Sequence, residues 1–150
     1  MNIGIITSGG GHEFQINKLK WFFKNKTYFY VICVHKNTHK ISTNTNYYNA
    51  HYPDSRNIVN LIKNTILAVN ILNKEKPTVL LSSGAGIAIP FFFIGKLFFN
   101  TKLIFIEPYD FIKKPSLTGK LLYNRVDLFL VQHKQQKKWF PKAHYIGSLL

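Results

Sequence analysis

Three short stretches concentrate the residues that can do chemistry. The first is Ser8-Gly9-Gly10-Gly11-His12, where the apolar run Ile5-Ile6-Thr7 stops at three glycines ahead of a histidine. The second is Ser83-Gly84-Ala85-Gly86 and the third is Glu107-Pro108-Tyr109-Asp110. A glycine turn that feeds a helix offers backbone N–H groups and the positive helix end to an anion. Without Cβ atoms, that backbone can approach a phosphate closely. The competing explanation is that the glycines only let the first helix pack tightly on its neighbours. Two such loops in one chain favour a phosphate site.

Two common phosphate devices do not fit. Counted from Gly9, the dinucleotide fingerprint G-x-G-x-x-G needs a third glycine at position 14, where Phe14 stands. It also needs an acid after the second strand, where His35 and Lys36 stand. Thr118-Gly119-Lys120 lacks the upstream glycine of a P-loop and runs on into Leu121. Nicotinamide cofactors and nucleoside triphosphate hydrolysis are therefore disfavoured, and no cofactor is expected.

Alternating strands and helices must position these loops. Asn2–Thr7 reads as a buried strand, followed by a helix over His12–Lys24 with Ile16, Leu19, Phe22 and Phe23 at helical spacing. A strand over Tyr28–Val34, a polar mobile loop over Lys36–Asn46 and a short strand near Tyr47–Tyr52 come next. Pro53-Asp54-Ser55 supplies a turn and cap for a long helix whose buried face is Ile58, Leu61, Ile62, Val69 and Leu72, ending before Pro77. Then follow a strand Thr78–Ser82, a helix Ile87–Phe99, a strand Lys102–Ile106, a helix Ser116–Asn124, a strand Asp127–Val131 and a short helix near Lys134–Trp139. Strands apolar on both faces, alternating with helices, predict an α/β fold: one Rossmann-like parallel sheet with helices on both faces, in a single domain over residues 1–150. Ligands bind such sheets at the carboxyl ends of the strands, so the three stretches should open on one edge and form one site.

Bulk properties narrow the partners. Twenty Lys+Arg against six Asp+Glu give a net charge of +14, which favours nucleic acid, an anionic bilayer or phosphorylated ligands. The lone cysteine, Cys33, excludes a disulfide framework or a cysteine metal site, and no metal is expected. Too few residues precede the first glycines for a signal peptide, so a cytosolic start is expected. No apolar run reaches 18 residues, which argues against a transmembrane helix.

With both loops placed, the chain resembles the PssD-type polysaccharide biosynthesis proteins. It is similar to their eukaryotic Alg-type counterpart and, more distantly, to the N-terminal half of MurG. The stretches that carry the resemblance are SGGGH (8–12), YPDSRNIVNLIKN (52–64), SSGAGIAIPFFFIGKLF (82–98), IEPYDFIKKPSLTGKL (106–121) and FPKAHYIG (140–147). The resemblance implies the N-terminal, acceptor-binding half of a GT-B glycosyltransferase. Its nucleotide-sugar half would sit on a small catalytic partner chain, without which this chain is expected to be inactive. It implies that Ser8, Gly9, Gly10, Gly11 and His12, with Ser83, Gly84, Ala85 and Gly86, approach the diphosphate of a polyprenyl-linked sugar acceptor. MurG-like loops read G-G-x-G-G-H, whereas here Thr7-Ser8 precedes a shorter glycine run. His12 is a candidate for binding the diphosphate or for taking the proton of the acceptor hydroxyl; its other reading is a helix-start residue in water. Glu107 is a candidate base for an inverting transfer or, alternatively, the ion-pair partner of Lys113 or Lys114. Asp110 admits the same two readings, and Arg56 sits either at the cleft rim or in solvent.

Two surfaces follow. Phe91, Phe92 and Phe93 are consecutive, so at least one must face outward from a helix, and with Lys96 nearby they suit peripheral contact with the cytoplasmic face of a membrane. Trp139, Phe140, Tyr145, Leu149 and Leu150 make an apolar terminus suited to the partner subunit of a heterodimer. The rival class is a basic nucleic-acid-binding module. Scattered lysines and the absence of any nucleic-acid motif weigh against it. A third reading is a self-sufficient enzyme using Glu107 and His12 on a phosphorylated metabolite.

Overall fold

Seven parallel strands form one twisted sheet in the order β3-β2-β1-β4-β5-β6-β7. The computed structural model describes residues 1–35 and 45–150, so the polar loop expected over Lys36–Asn46 lies almost wholly outside the described residues. The strands are β1 (Asn2–Ser8), β2 (Thr27–Cys33), β3 (Asn46–Ala50), β4 (Val79–Ser82), β5 (Lys102–Ile106), β6 (Leu128–Val131) and β7 (His144–Tyr145). The helices are α1 (Gly11–Asn17), α2 (Lys20–Phe23), α3 (Ile58–Glu75), α4 (Ala88–Phe99) and α5 (Leu117–Leu122), with a 3-10 turn over Lys134–Lys138.

Strand periodicity builds two apolar layers. Along β2, Phe29, Val31 and Cys33 face one layer while Tyr30 and Ile32 face the other. Helices α1 and α2 cover the second layer through Ile16 and Phe23. Helices α3, α4 and α5 cover the first through Ala68, Ile71, Leu72, Phe91, Phe92 and Leu122. The chain crosses from one side of β1 to the other between β3 and β4. The switch point of the sheet is therefore the β1/β4 pair, where the two glycine loops begin.

The single helix expected over His12–Lys24 is two. Lys18 N–H donates to Gln15 O and Leu19 N–H to Ile16 O, which tightens the turn after α1 and lets Phe23 swing into the core. The cap expected from Pro53-Asp54-Ser55 is supplied instead by Asn57, whose side chain accepts from Asn60 N–H at 2.9 Å.

The larger departure is the rotation of α3. Of the expected buried face only Leu72 is buried, whereas Ile58, Leu61, Ile62 and Val69 are exposed along with Val59 and Ile66. Asn64 explains the turn. Its amide is buried, accepts from His51 N–H at 2.8 Å and donates to His51 O at 3.0 Å just beyond β3. Leaving such groups unpaired costs about 1–3 kcal/mol each, enough to outweigh the gain from burying one isoleucine. Helix α3 therefore carries two apolar faces: Ala68, Ile71 and Leu72 on the sheet, and Ile58, Ile62, Ile66 and Val69 in water.

Candidate functional site

The first glycine loop leaves β1 with Gly9 N–H still bonded to Cys33 O at 3.1 Å. Gly9 lies so close to Val34 that a Cβ would sit 2.5 Å from its Cγ1. Gly10 has φ +80, a conformation that glycine adopts without strain. A Cβ at Gly10 or Gly11 would meet nothing within 4 Å, so this stretch of backbone faces open space.

His12 joins the two loops. Its Nδ1 lies 2.8 Å from Ser83 O, and Ser83 Oγ donates to His12 O at 2.8 Å. Because a carbonyl can only accept, Nδ1 carries a proton in this contact, and Nε2 is the ring nitrogen left outside it. The imidazole lies over Gly84, where a Cβ would fall 2.6 Å from His12 Cε1 and 2.6 Å from Pro108 Cγ. Ser83, Gly84 and Ala85 are buried beneath this junction, so they lock the two loops together rather than line open space. Gly86 is half-buried and lies so close to Asp54 O that it too excludes a side chain.

Two cavities flank the junction. One, of about 560 Å³, lies at the carboxyl ends of β1, β2 and β3 and is lined by Ser8, Gly9, Gly10, Val34, His35 and the segment Tyr52–Ser55. The other is a groove of about 900 Å³ between α3, the start of α4 and the 111–120 segment. Its apolar walls include Ile58, Leu61, Ile89, Phe111 and Leu117, and Arg56, Lys114 and Lys120 also line it. Asp54 and Ser55 line both spaces, so the two adjoin across that short segment. Asp54 Oδ2 accepts from Ile87 N–H at 3.0 Å, and thus caps α4 rather than the helix that follows it in sequence.

Glu107 has neither of its expected placements. The residue is 0% exposed, and it pairs with neither Lys113 nor Lys114. Its Oε1 accepts from Ser116 N–H at 2.6 Å and its Oε2 from Ser116 Oγ at 2.9 Å, while Ser116 Oγ accepts from Gly119 N–H at 2.8 Å. This is a capping box whose acid comes from another part of the chain. Glu107 Oε2 also fills the space where a Cβ on Gly119 would stand, so only glycine fits there. Burial dominates the carboxyl's acidity and pushes it up to about 7, against the lowering effect of the Ser116 hydrogen bonds. A carboxylate closed off in this way positions α5 and does not reach a substrate. Asp110 is exposed at the end of the same loop.

The 107–111 loop is anchored by three buried glutamines. Gln132 Nε2 donates to Gln15 Oε1 at 2.7 Å and to Glu107 O at 3.0 Å, and Gln132 Oε1 accepts from Leu149 N–H at 3.0 Å. Gln136 Nε2 donates to Pro108 O at 2.9 Å and to Phe111 O at 3.3 Å, while its Oε1 accepts from the N–H groups of Gln132 and His133. One network therefore connects α1, the third chemical stretch and the chain's end.

The expected surfaces change as well. Phe91 and Phe92 are fully buried and cannot touch a membrane, whereas Phe93 is 38% exposed with Arg125 over its ring. Lys96 pairs with Asp127 at 2.9 Å. Consecutive positions on a helix diverge, and the sheet claims two of these three phenylalanines. The exposed apolar residues of α4 are Phe93, Leu97 and Phe98. Of the terminal residues, Phe140 belongs to the core, with its ring 4.6 Å from that of Phe129, and Trp139 and Leu149 are partly buried. Of the five residues expected at a partner surface only Tyr145 and Leu150 are exposed, with Ile146 exposed beside them. No helix among the described residues is long and apolar enough to cross a membrane.

The family described as oligosaccharide biosynthesis protein Alg14-like matches residues 3–149 of the chain. The chain belongs to the Alg14-like family. A human relative of this Alg14-like protein, named UDP-N-acetylglucosamine transferase subunit ALG14, is 24% identical over 183 residues, covering 100% of this chain and 83% of the relative. The Candida albicans protein of the same name is 34% identical over 82 residues, covering 51% of this chain and 37% of its own length. Among solved structures, Acinetobacter baumannii MurG superposes with a TM-score of 0.77 at 13% identity, covering 98% of this chain and 44% of MurG. A UDP-GlcNAc 2-epimerase from Methanocaldococcus jannaschii gives 0.72 at 15%, covering 95% and 42%. The Alg14-like chain thus has the Rossmann-like fold of the N-terminal half of GT-B enzymes. Site residues that sequence reasoning missed are Val34, His35 and Tyr52–Ser55, together with Lys114 and Lys120. Tyr52–Ser55, Lys114 and Lys120 fall within the stretches YPDSRNIVNLIKN and IEPYDFIKKPSLTGKL that carry the family resemblance, whereas Val34 and His35 fall in none.

Proposed function

We propose that the chain is the acceptor-binding subunit of a two-chain, inverting UDP-sugar glycosyltransferase acting on a polyprenyl-diphosphate-linked sugar. The observation that carries this reading is the open Gly10–Gly11 backbone beside the cavity at the ends of β1, β2 and β3, in a chain of the Alg14-like family. The acceptor diphosphate lies against Gly9, Gly10 and Gly11, with Ser8 as a hydroxyl donor, in a protein of net charge +14. His12 takes the acceptor hydroxyl's proton at Nε2, oriented by its Nδ1–H bond to Ser83. The donor is a UDP-sugar, as in the names of the curated relatives, bound by a partner chain that docks near Tyr145 and Leu150. The product is an intermediate of lipid-linked oligosaccharide or of capsular or exopolysaccharide synthesis. Transfer from UDP-N-acetylglucosamine to a lipid-linked acceptor is expected only when this chain and its partner are mixed. Turnover by this chain alone would overturn the two-chain reading.

Peripheral attachment to the cytoplasmic face of a membrane belongs to the same proposal, and its surface is the outer face of α3. Ile58 is 76% exposed, Ile62 58% and Ile66 59%, on a helix that also carries Lys63 and Lys74. Apolar residues flanked by lysines suit an anionic bilayer surface. The chain is expected to sediment with vesicles containing anionic phospholipid, and the Ile62→Glu/Ile66→Glu variant to remain in solution. Sedimentation of that variant at the wild-type level would rule this surface out.

A further inference from the structure

Gln132 is buried, and both ends of its amide are engaged. Nε2 donates to Gln15 Oε1 at 2.7 Å and to Glu107 O at 3.0 Å, while Oε1 accepts from Leu149 N–H at 3.0 Å. The main-chain N–H of Gln132 is held by Gln136 Oε1 at 2.9 Å, so the backbone is fixed and only the side-chain amide can turn. Leu149 N–H therefore decides which end of that amide faces Gln15. With this donor withdrawn, a turned amide sets its oxygen against Gln15 Oε1 and Glu107 O, neither of which can donate. Gln15 can answer only by turning its own amide, and Tyr109 N–H, 3.4 Å from Gln15 Oε1, then loses its acceptor. Gln15 stands three residues after His12 on the same side of α1, and His12 holds the second glycine loop through Ser83 O.

We propose that Gln132 is a positioning residue that couples the terminal segment to His12: a docked Leu149 fixes the amide of Gln132, hence that of Gln15, hence the seat of α1. This coupling rests on the reading of His12 as the proton acceptor and of the surface near Tyr145 and Leu150 as the partner's dock, and it adds a means of regulation to that site. Leu149 turns its N–H inward, whereas Tyr145, Ile146 and Leu150 are exposed around it. A partner that settles on those side chains holds the segment down and keeps the donor in place. Partner and acceptor site then bias one two-state element, the pair of glutamine amides, which is what coupling requires. His12 is correctly seated only while the terminal segment is docked.

Leu149→Pro removes the N–H that Gln132 accepts while leaving Gln132 in place, and Gln132→Leu removes the relay itself at similar size. Leu149→Ala keeps the N–H and is the control. In NMR spectra of the full chain, the His12 imidazole resonances should shift in the first two variants. Phe14 N–H, bonded to Gly10 O at 2.9 Å, should exchange about tenfold faster in both, the scale of one lost buried hydrogen bond. In the two-chain transferase, kcat at saturating partner should fall about tenfold, with KM for the lipid acceptor and affinity for the partner unchanged. Leu149→Ala should match wild type throughout. Wild-type His12 resonances and Phe14 exchange in the first two variants, or the same changes in Leu149→Ala, would overturn the proposal. A lower thermal midpoint with kcat retained would also overturn it, as the mark of a merely structural network. Weaker partner affinity with kcat retained would overturn it too, leaving Leu149 an interface residue alone. Absence of transfer by the wild-type pair would remove the functional reading, and the resonances of the single chain would still decide the coupling.

Discussion

A His12→Asn variant is expected to lose about 10²–10⁴-fold in kcat in the reconstituted transferase, with its KM for the lipid acceptor and its thermal midpoint unchanged. The choice of asparagine follows from geometry. The ring's Nδ1–H donates to Ser83 O at 2.8 Å, and an asparagine amide N–H can occupy nearly the same position. The bond that holds the two glycine loops together is thereby retained, while the acceptor at Nε2 is removed. A residue that only clamped the loops would tolerate this change. Activity within about tenfold of wild type would therefore assign His12 a positioning role and leave the proton acceptor elsewhere. Gly84 provides the complementary control, because any side chain there collides with the imidazole and with Pro108. Its substitution should cost stability as well as turnover.

A Glu107→Gln variant is expected to match wild type in urea unfolding near pH 5 and to exceed it near pH 8. The sign follows from proton binding. The carboxyl's ordinary value of 4.5 is raised to about 7 in the fold, chiefly by burial. Between these values the folded protein holds a proton that the unfolded chain has released, so stability falls as pH rises through this window. The interval corresponds to about 3 kcal/mol, a loss the glutamine variant escapes because an amide mimics the protonated acid. The difference between variant and wild type isolates this group from the rest of the titrating surface. The same difference at both pH values would show that Glu107 is not the group responsible. Glu107→Ala should cost about 2–4 kcal/mol near pH 5, since Ser116 N–H loses its partner and a cavity opens beneath Gly119. Near pH 8 it should cost distinctly less, because the alanine variant also escapes the wild-type loss.

Local chemistry was legible in the residues; the choices made by tertiary partners were not. β-branched and aromatic runs placed the strands within a few residues, and Gly9–Gly11 and Gly84–Gly86 correctly marked the loops at the β1/β4 switch point. The helix α3 was assigned the wrong inward face because hydrophobicity alone ranks Ile62 above Asn64. The deciding partner, the His51 peptide, lies 13 residues away. Glu107 was correctly placed at a strand end. Its burial depends on Ser116, nine residues on, and on a glycine at position 119 that leaves room for a carboxylate. Phe91-Phe92-Phe93 announced an apolar helix without saying which ring the sheet would take. The β1/β2/β3 cavity is not legible in the sequence because Val34-His35 carries no motif and meets Tyr52–Ser55 only once the sheet is formed.

The glutamine network has a consequence for how the protein tolerates its surroundings. With a net charge of +14, this surface must respond strongly to ionic strength and to anionic surfaces. Yet the joint that relates α1, the 107–111 loop and the tail at Leu149 consists of neutral amides and main-chain groups, away from water. Counterions have nothing there to screen, and no proton has to move for the joint to hold. If the chain docks onto charged bilayers as proposed, its electrostatic environment changes while the joint between its glycine loop and its terminal segment has no charge to respond.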